Sequence, residues 1–158
     1  MKKVLVLLVM VFVGLSAQAF AATVSIPDTD ANPGAAIEIP VTIDDATGLL
    51  GFQFSVSYDA EALQAVGTKA GELTSGWMIV PNLSERGMIK VAGIDTSLTG
   101  LGKGVGNIVK LQFKVVGKPG KKNTLSFAVC SLSDSEGKKI ASTCKEGQIK
   151  IKGPKKEK

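Results

Sequence analysis

Histidine is absent from this 158-residue chain. The commonest general base and metal ligand is therefore missing, and Ser-His-Asp and Cys-His catalytic arrangements are excluded. Paired carboxylates remain as a route to glycoside hydrolysis. The acidic residues, however, fall mostly in turns (Asp28, Asp30, Asp44, Asp45, Asp59, Asp95), and Glu38 stands alone among apolar neighbours. No enzyme activity and no cofactor are expected. Aromatic side chains are also scarce, with one Trp, one Tyr and six Phe. A sugar-stacking platform would rest on Trp77 alone, because Tyr58 falls on the apolar side of its strand, and core packing is the simpler role for Trp77. There are only two cysteines, Cys130 and Cys144, with 13 residues between them. That spacing excludes a CxxC redox or zinc site.

Long apolar runs are missing apart from one near the N-terminus. Lys2 and Lys3 precede the stretch Val4–Leu15, and Ala-Gln-Ala and Ala-Phe-Ala follow, ending at Ala19 and Ala21. The stretch is short for a membrane span, which takes about 20 residues. A positive start, an apolar middle and small residues at the end describe a secretory signal peptide. The expected organisation is a signal peptide over 1–22, one domain over 23–152 and a disordered Lys-rich tail over 153–158. The protein is expected to be exported, to an extracellular, cell-surface or periplasmic place, without a span in the mature chain. In an oxidising compartment the two cysteines form a disulfide or stay as free thiols. The turn signal Ser133–Gly137 between them places them on the arms of a hairpin.

Charge is unevenly spread. Residues 23–100 hold 3 basic and 10 acidic side chains, whereas residues 101–158 hold 14 basic and 4 acidic. The excess lysines lie on outward strand positions such as Lys110 and Lys114, and in the tail. Nucleic acid is not expected as a partner of an exported chain.

What the sequence has in plenty is alternation. In Gly48–Gly67, Leu50, Phe52, Phe54, Val56 and Tyr58 are large and apolar, while Gly51, Gln53, Ser55, Ser57 and Asp59 are small or polar. Side chains on a strand point alternately to its two faces, so this is one half-buried strand. Similar segments recur at 23–26, 36–45, 77–81, 87–94, 107–116, 123–130, 138–142 and 147–152, separated by Gly, Pro, Asn, Asp or Ser. In the segment 123–130, Leu125, Phe127 and Val129 are expected inward. Only Asp59–Val66 looks helical, for one or two turns. About nine short strands with turn signals between them predict an all-β antiparallel sandwich with jelly-roll topology. Asp28, Asp30 and Asn32 repeat at every second position, a weak calcium candidate. Pro33 and Ile39 stand where an EF-hand loop would need Gly and Glu, and an Asn-Pro-Gly turn explains the same residues.

Taken together, the stretch from Asn32 to Gly67 resembles a cohesin domain. The features that carry the likeness are PGAAIEIPV, a Gly-led strand ending in Tyr58-Asp59, and a short turn reaching Leu63. Downstream, RGMIKVAGID and GNIVKLQFKVV look like later cohesin strands, and 125–151 like the terminal hairpin. The resemblance implies a jelly roll that binds a dockerin-like module, itself the holder of calcium, and that helps assemble polysaccharide-degrading enzymes. It further implies a flat docking face containing Gly51, Gln53, Ser55 and Ser57, with Lys90 and Ala92 on the neighbouring strand. Many cohesins carry Asn and Asp where Gly51 and Gln53 stand here. The alternative is a carbohydrate-binding module of the related sandwich superfamily, with a polysaccharide as partner.

Overall fold

The computed structural model describes residues 21–153. Residues 1–20 of the expected signal peptide (1–22) and residues 154–158 of the expected tail lie outside the described residues. Twelve strands follow in order: β1 (Ala22–Ser25), β2 (Thr29–Ala31), β3 (Ala36–Ile43), β4 (Gly51–Ser57), β5 (Leu63–Ala70), β6 (Met78–Asn82), β7 (Met88–Ile94), β8 (Gly106–Val115), β9 (Lys122–Ser133), β10 (Lys139–Ile140), β11 (Ser142–Lys145) and β12 (Gly147–Ile151). The strands beyond those expected are the short β2 and β11 and the eight-residue β5, where the sequence looked helical. Among the described residues no helix is long and apolar enough to cross a membrane.

The strands make two sheets, ordered β11-β1-β3-β8-β5 and β2-β12-β9-β4-β7-β6, with β10 on β9. The pairing is antiparallel except at the two places where the chain ends meet. There β1 runs parallel to β11, and β2 parallel to β12. The N-terminal segment thus contributes first to one sheet and then to the other, which closes the sandwich. β1 begins at Ala22, a buried residue one position before the expected domain start.

The core follows from the alternation. Phe52, Phe54 and Val56 of β4 share with Val109, Leu111 and Phe113 of β8 an apolar interior that also holds Ile39, Val41, Ile89, Leu125 and Leu132. Phe54 and Phe113 are fully buried. Trp77 packs against this core, its ring stacked on Phe52 at 6.2 Å. Tyr58 meets Phe113 edge-on at 5.1 Å.

Three expectations change. The helix-like stretch after Tyr58 is a single turn followed by β5. The Asp59 carboxylate accepts from the Glu61 N–H at 2.8 Å, and the Asp59 carbonyl accepts from Ala62 and Leu63 N–H groups at 3.0 Å. Leu63 then pairs with Val115 instead of continuing a helix. Val129 is exposed, not buried, because a bulge intervenes. Ser55 opposes Val129 but Val56 opposes Phe127, so Ala128 is an extra residue and every later side chain of β9 changes face. The cysteines do form a disulfide, with Cα atoms 6.5 Å apart. Cys130 lies on β9, opposite Phe54, and Cys144 on β11, opposite Val24. The bond therefore ties one sheet to the other and does not cross-link the arms of one hairpin.

Candidate functional site

Strands β9, β4, β7 and β6 lie side by side, and their outward positions are in register. Gly51 stands between Ile94 and Ser133, Gln53 between Ala92 and Ser131, and Ser55 between Lys90 and Val129. β6 extends each row, with Met78 beside Ile94, Val80 beside Ala92 and Asn82 beside Lys90. Three rows of four residues result, and Lys90 carries the one charge in them. Its ammonium is 2.7 Å from the Glu85 carboxylate.

The outer face of the other sheet differs. It holds Lys69, Lys110, Lys114 and Glu38, with Lys69 and Glu38 paired at 2.5 Å and Gln112 donating to Glu38 at 2.9 Å. That face is an ordinary solvated one. The β9-β4-β7-β6 face instead exposes Met78 and Val80, both 56% accessible, together with Ile94 and Val129. Apolar side chains at adjacent positions on an otherwise small and polar surface mark an interaction site.

The sequence-derived residues Gly51, Gln53, Ser55, Ser57, Lys90 and Ala92 all fall on this face, between β9 and β6. Their exposures differ. Gln53, Lys90 and Ala92 are exposed, Ser57 is half-buried, and Gly51 and Ser55 are buried by their neighbours. At Gly51 the reason is steric, since a Cβ would come 2.9 Å from Ser133 Oγ. The missing side chain leaves a shallow hollow of about 560 Å³, lined by Gly51, Gln53, Met78, Val80, Ala92 and Ile94. The face thus combines a flat serine and glycine centre with an apolar flank.

The apolar contributors Met78, Val80, Ile94 and Val129 were not foreseen, nor were the polar Asn82, Ser131 and Ser133. Ile94 continues the alternation of Lys90 and Ala92 and was open to discovery. Met78 and Val80 required knowing that β6 pairs with β7, and Val129 required the bulge.

Besides Glu85, paired with Lys90, a second carboxylate stands near the face, and it is occupied within its own loop. Asp95 follows β7, and its side chain accepts from the Ser97 hydroxyl at 2.6 Å, the Ser97 N–H at 2.9 Å and the Gly100 N–H at 3.0 Å. These donors, the Ser97 hydroxyl foremost, hold Asp95 below the usual carboxylate range.

The calcium candidates are dispersed. Asp28 accepts from the Gln148 N–H at 2.8 Å, Asp30 pairs with Lys152 at 3.1 Å, and the Asn32 carbonyl closes a turn onto the Ala35 N–H at 3.2 Å. Lys122 and Lys150 share a hollow with Asp28 and Asp30, which works against a cation there. Among the described residues no three His, Cys, Asp or Glu side chains gather as metal ligands.

A family model described as the cohesin domain matches residues 22–151. No curated protein matches the chain. Solved structures with the same fold include a non-cellulosomal cohesin from the archaeon Archaeoglobus fulgidus, 21% identical with a TM-score of 0.74, over 84% of this chain and 92% of that one. The sixth cohesin of scaffoldin B from Acetivibrio cellulolyticus, solved in complex with a dockerin, is 23% identical with a TM-score of 0.74, over 84% and 99%. A cohesin–dockerin complex from Clostridium thermocellum gives 22% identity and a TM-score of 0.73, over 84% and 94%.

Proposed function

The chain belongs to the cohesin family, and from that premise we propose that it is an exported, non-catalytic interaction module that docks a dockerin-like partner on the β9-β4-β7-β6 face. The observation that carries this reading is the contrast between the two outer faces, one bearing Lys69, Lys110, Lys114 and Glu38 and the other a single charge, Lys90, beside an apolar flank. Gly51, Gln53, Ser55 and Ser57 form the close-approach centre, Lys90 and Ala92 the adjoining strand, and Met78, Val80, Ile94 and Val129 the anchoring rim. Small side chains let a partner helix come close, and the rim supplies apolar area to bury.

Export accords with the leader-like stretch up to residue 22 and with a disulfide, which persists in oxidising compartments. The partner is accordingly a dockerin-like module on another exported protein, holding its own calcium. Such a partner brings a polysaccharide-degrading enzyme to the module. Sugar binding by Trp77 is not favoured, because its ring is engaged with Phe52.

The test is capture of exported proteins from the same organism on the immobilised chain, with calcium and with chelator. A dockerin-bearing protein retained only with calcium, and lost from both Gln53→Arg and Val80→Asp, establishes the face. Stability of both variants should stay within about 0.5 kcal/mol of the parent, as expected for exposed positions. Capture that survives both substitutions sinks the assignment.

A further inference from the structure

The outer face of the larger sheet changes character beyond the bulge in β9. Toward its other edge, β9, β12 and β2 enclose a second hollow of about 420 Å³, lined by Asp28, Thr29, Asp30, Lys122, Gln148 and Lys150. Its size lies within the range of small-ligand sites, roughly 300–1,000 Å³.

The charges in it are arranged unfavourably for an empty surface. Lys122 and Lys150 are direct cross-strand partners of β9 and β12. Such partners hold their Cβ atoms about 5 Å apart, and like charges so placed repel. Both lysines are exposed, and neither has an ion pair among the described residues. Asp30, in register with Lys150 on the other side, gives its carboxylate to Lys152 at 3.1 Å instead. One anionic group placed between Lys122 and Lys150 would turn a repulsion into two attractions.

The rest of the lining narrows the ligand. Gln148 and Thr29 offer an amide and a hydroxyl, and Asp28 and Asp30 offer acceptor oxygens beyond those used by the Gln148 N–H and Lys152. Lysines and carboxylates side by side suit a ligand that carries anionic groups and many hydroxyl donors together. A recess between strands suits a chain that enters it better than the plane of a bilayer. We propose that this hollow is a binding site for an acidic polysaccharide, with a uronate carboxylate seated between Lys122 and Lys150 and the sugar hydroxyls bonded to Gln148, Thr29 and Asp28. It lies beside the docking face on the same sheet and shares no residue with it, so a docked partner and a bound glycan strand would be held next to each other.

Calorimetric titration of the full chain, recovered after export, with hexagalacturonate in about 0.15 M salt tests the site. Binding is expected, with no heat from the neutral cellohexaose. The double variant Lys122→Ser/Lys150→Ser, which removes a repulsive pair and so should fold, weakens binding by about tenfold or more. Gln148→Ala also weakens it, with no change of charge. Lys110→Ser/Lys114→Ser, equal in charge but on the opposite sheet, leaves it unchanged. The proposal is overturned by an absence of heat, by equal loss in the two double variants, by equal affinity for cellohexaose, or by binding to phosphatidylglycerol vesicles without binding to hexagalacturonate. Loss of partner capture through Gln53→Arg has no bearing on this titration, so the two sites stand or fall separately.

Discussion

Phe52 and Gly93 are cross-strand partners on the inner side of β4 and β7, and the Phe52 ring occupies the space where a side chain at residue 93 would begin. A Cβ on Gly93 would lie 2.3 Å from the ring and 2.9 Å from Ile79 Cδ1. The ring is itself held between Phe54, at 4.9 Å, and Trp77. It supports the strand pair whose other side is the proposed docking face. Gly93→Ala therefore overpacks the core and should cost about 1–3 kcal/mol. Urea unfolding should show a lower midpoint with an unchanged slope. An unchanged midpoint would mean that Phe52 moves freely, and that the support under Ala92 and Gln53 is softer than described.

Phe54→Ala tests the same inner face by the opposite route. Its ring is fully buried and meets Phe127 edge-on at 5.5 Å. Truncation should cost about 3–5 kcal/mol, as for other buried aromatic residues. A small thermal shift would invert the assignment of faces on β4.

The proposed docking face has one charge in its three rows, and Lys90 is already paired with Glu85. Salt screens exposed charges over about 10 Å at 0.1 M and leaves apolar contacts largely untouched. Affinity for the dockerin-like partner should therefore change by less than about threefold between roughly 0.05 and 0.5 M salt. The binding heat capacity should be negative, as apolar burial requires. A steep loss of affinity with salt would show that the partner reads charge, and would move the interface toward the lysine-bearing surfaces.

β4 was legible residue by residue because its side-chain period is two and its inner side is uniformly large. The strands β3, β7 and β8 were legible for the same reason. What one strand cannot reveal is its neighbour. Met78 and Val80 become part of a face only through the pairing of β6 with β7, and β6 carries Pro81, which an edge strand tolerates. Val129 continues an unbroken alternation in the sequence, and only the extra residue Ala128 turns it outward. Asp28 and Asp30 read as oxygen donors until β9 and β12 set Lys122 and Lys150 beside them. In each case the missing information was register between distant segments, a property of the sheet that no local pattern encodes.

The Cys130–Cys144 bond joins β9 to β11 and closes a loop whose ends are 14 residues apart in sequence. Constraining an unfolded loop of this size is worth about 3 kcal/mol. Reduction should lower the melting temperature by on the order of 10 °C. Thiol titration should find none in the native protein and two after reduction in denaturant. Docking should survive reduction below the new melting point, because Cys130 lies on the inner side of β9, opposite Phe54. Loss of docking in the folded, reduced protein would instead make the bond part of the face's geometry.

Asp95 gives the molecule an acid-sensitive joint at the end of β7. The Ser97 hydroxyl, the Ser97 N–H, the Gly100 N–H and Thr99 all favour its ionised form, so its folded pKa is depressed below the unfolded value, about 3.9. A depressed carboxylate stabilises the fold at pH values above the unfolded pKa, and that stability is lost as pH falls through the folded pKa. Asp59, Asp45, Asp44 and Glu38 are shifted in the same direction, so the parent protein should lose stability steeply below about pH 4. Asp95→Asn keeps the shape of the side chain and removes the charge. Its urea midpoint should lie below the parent's at neutral pH, and the gap should narrow on acidification as the parent's own Asp95 becomes protonated. Parallel midpoint curves from neutral to acid pH would show that the loop at 95–100 does not prefer the ionised carboxylate, and that the acid limb belongs to the remaining carboxylates.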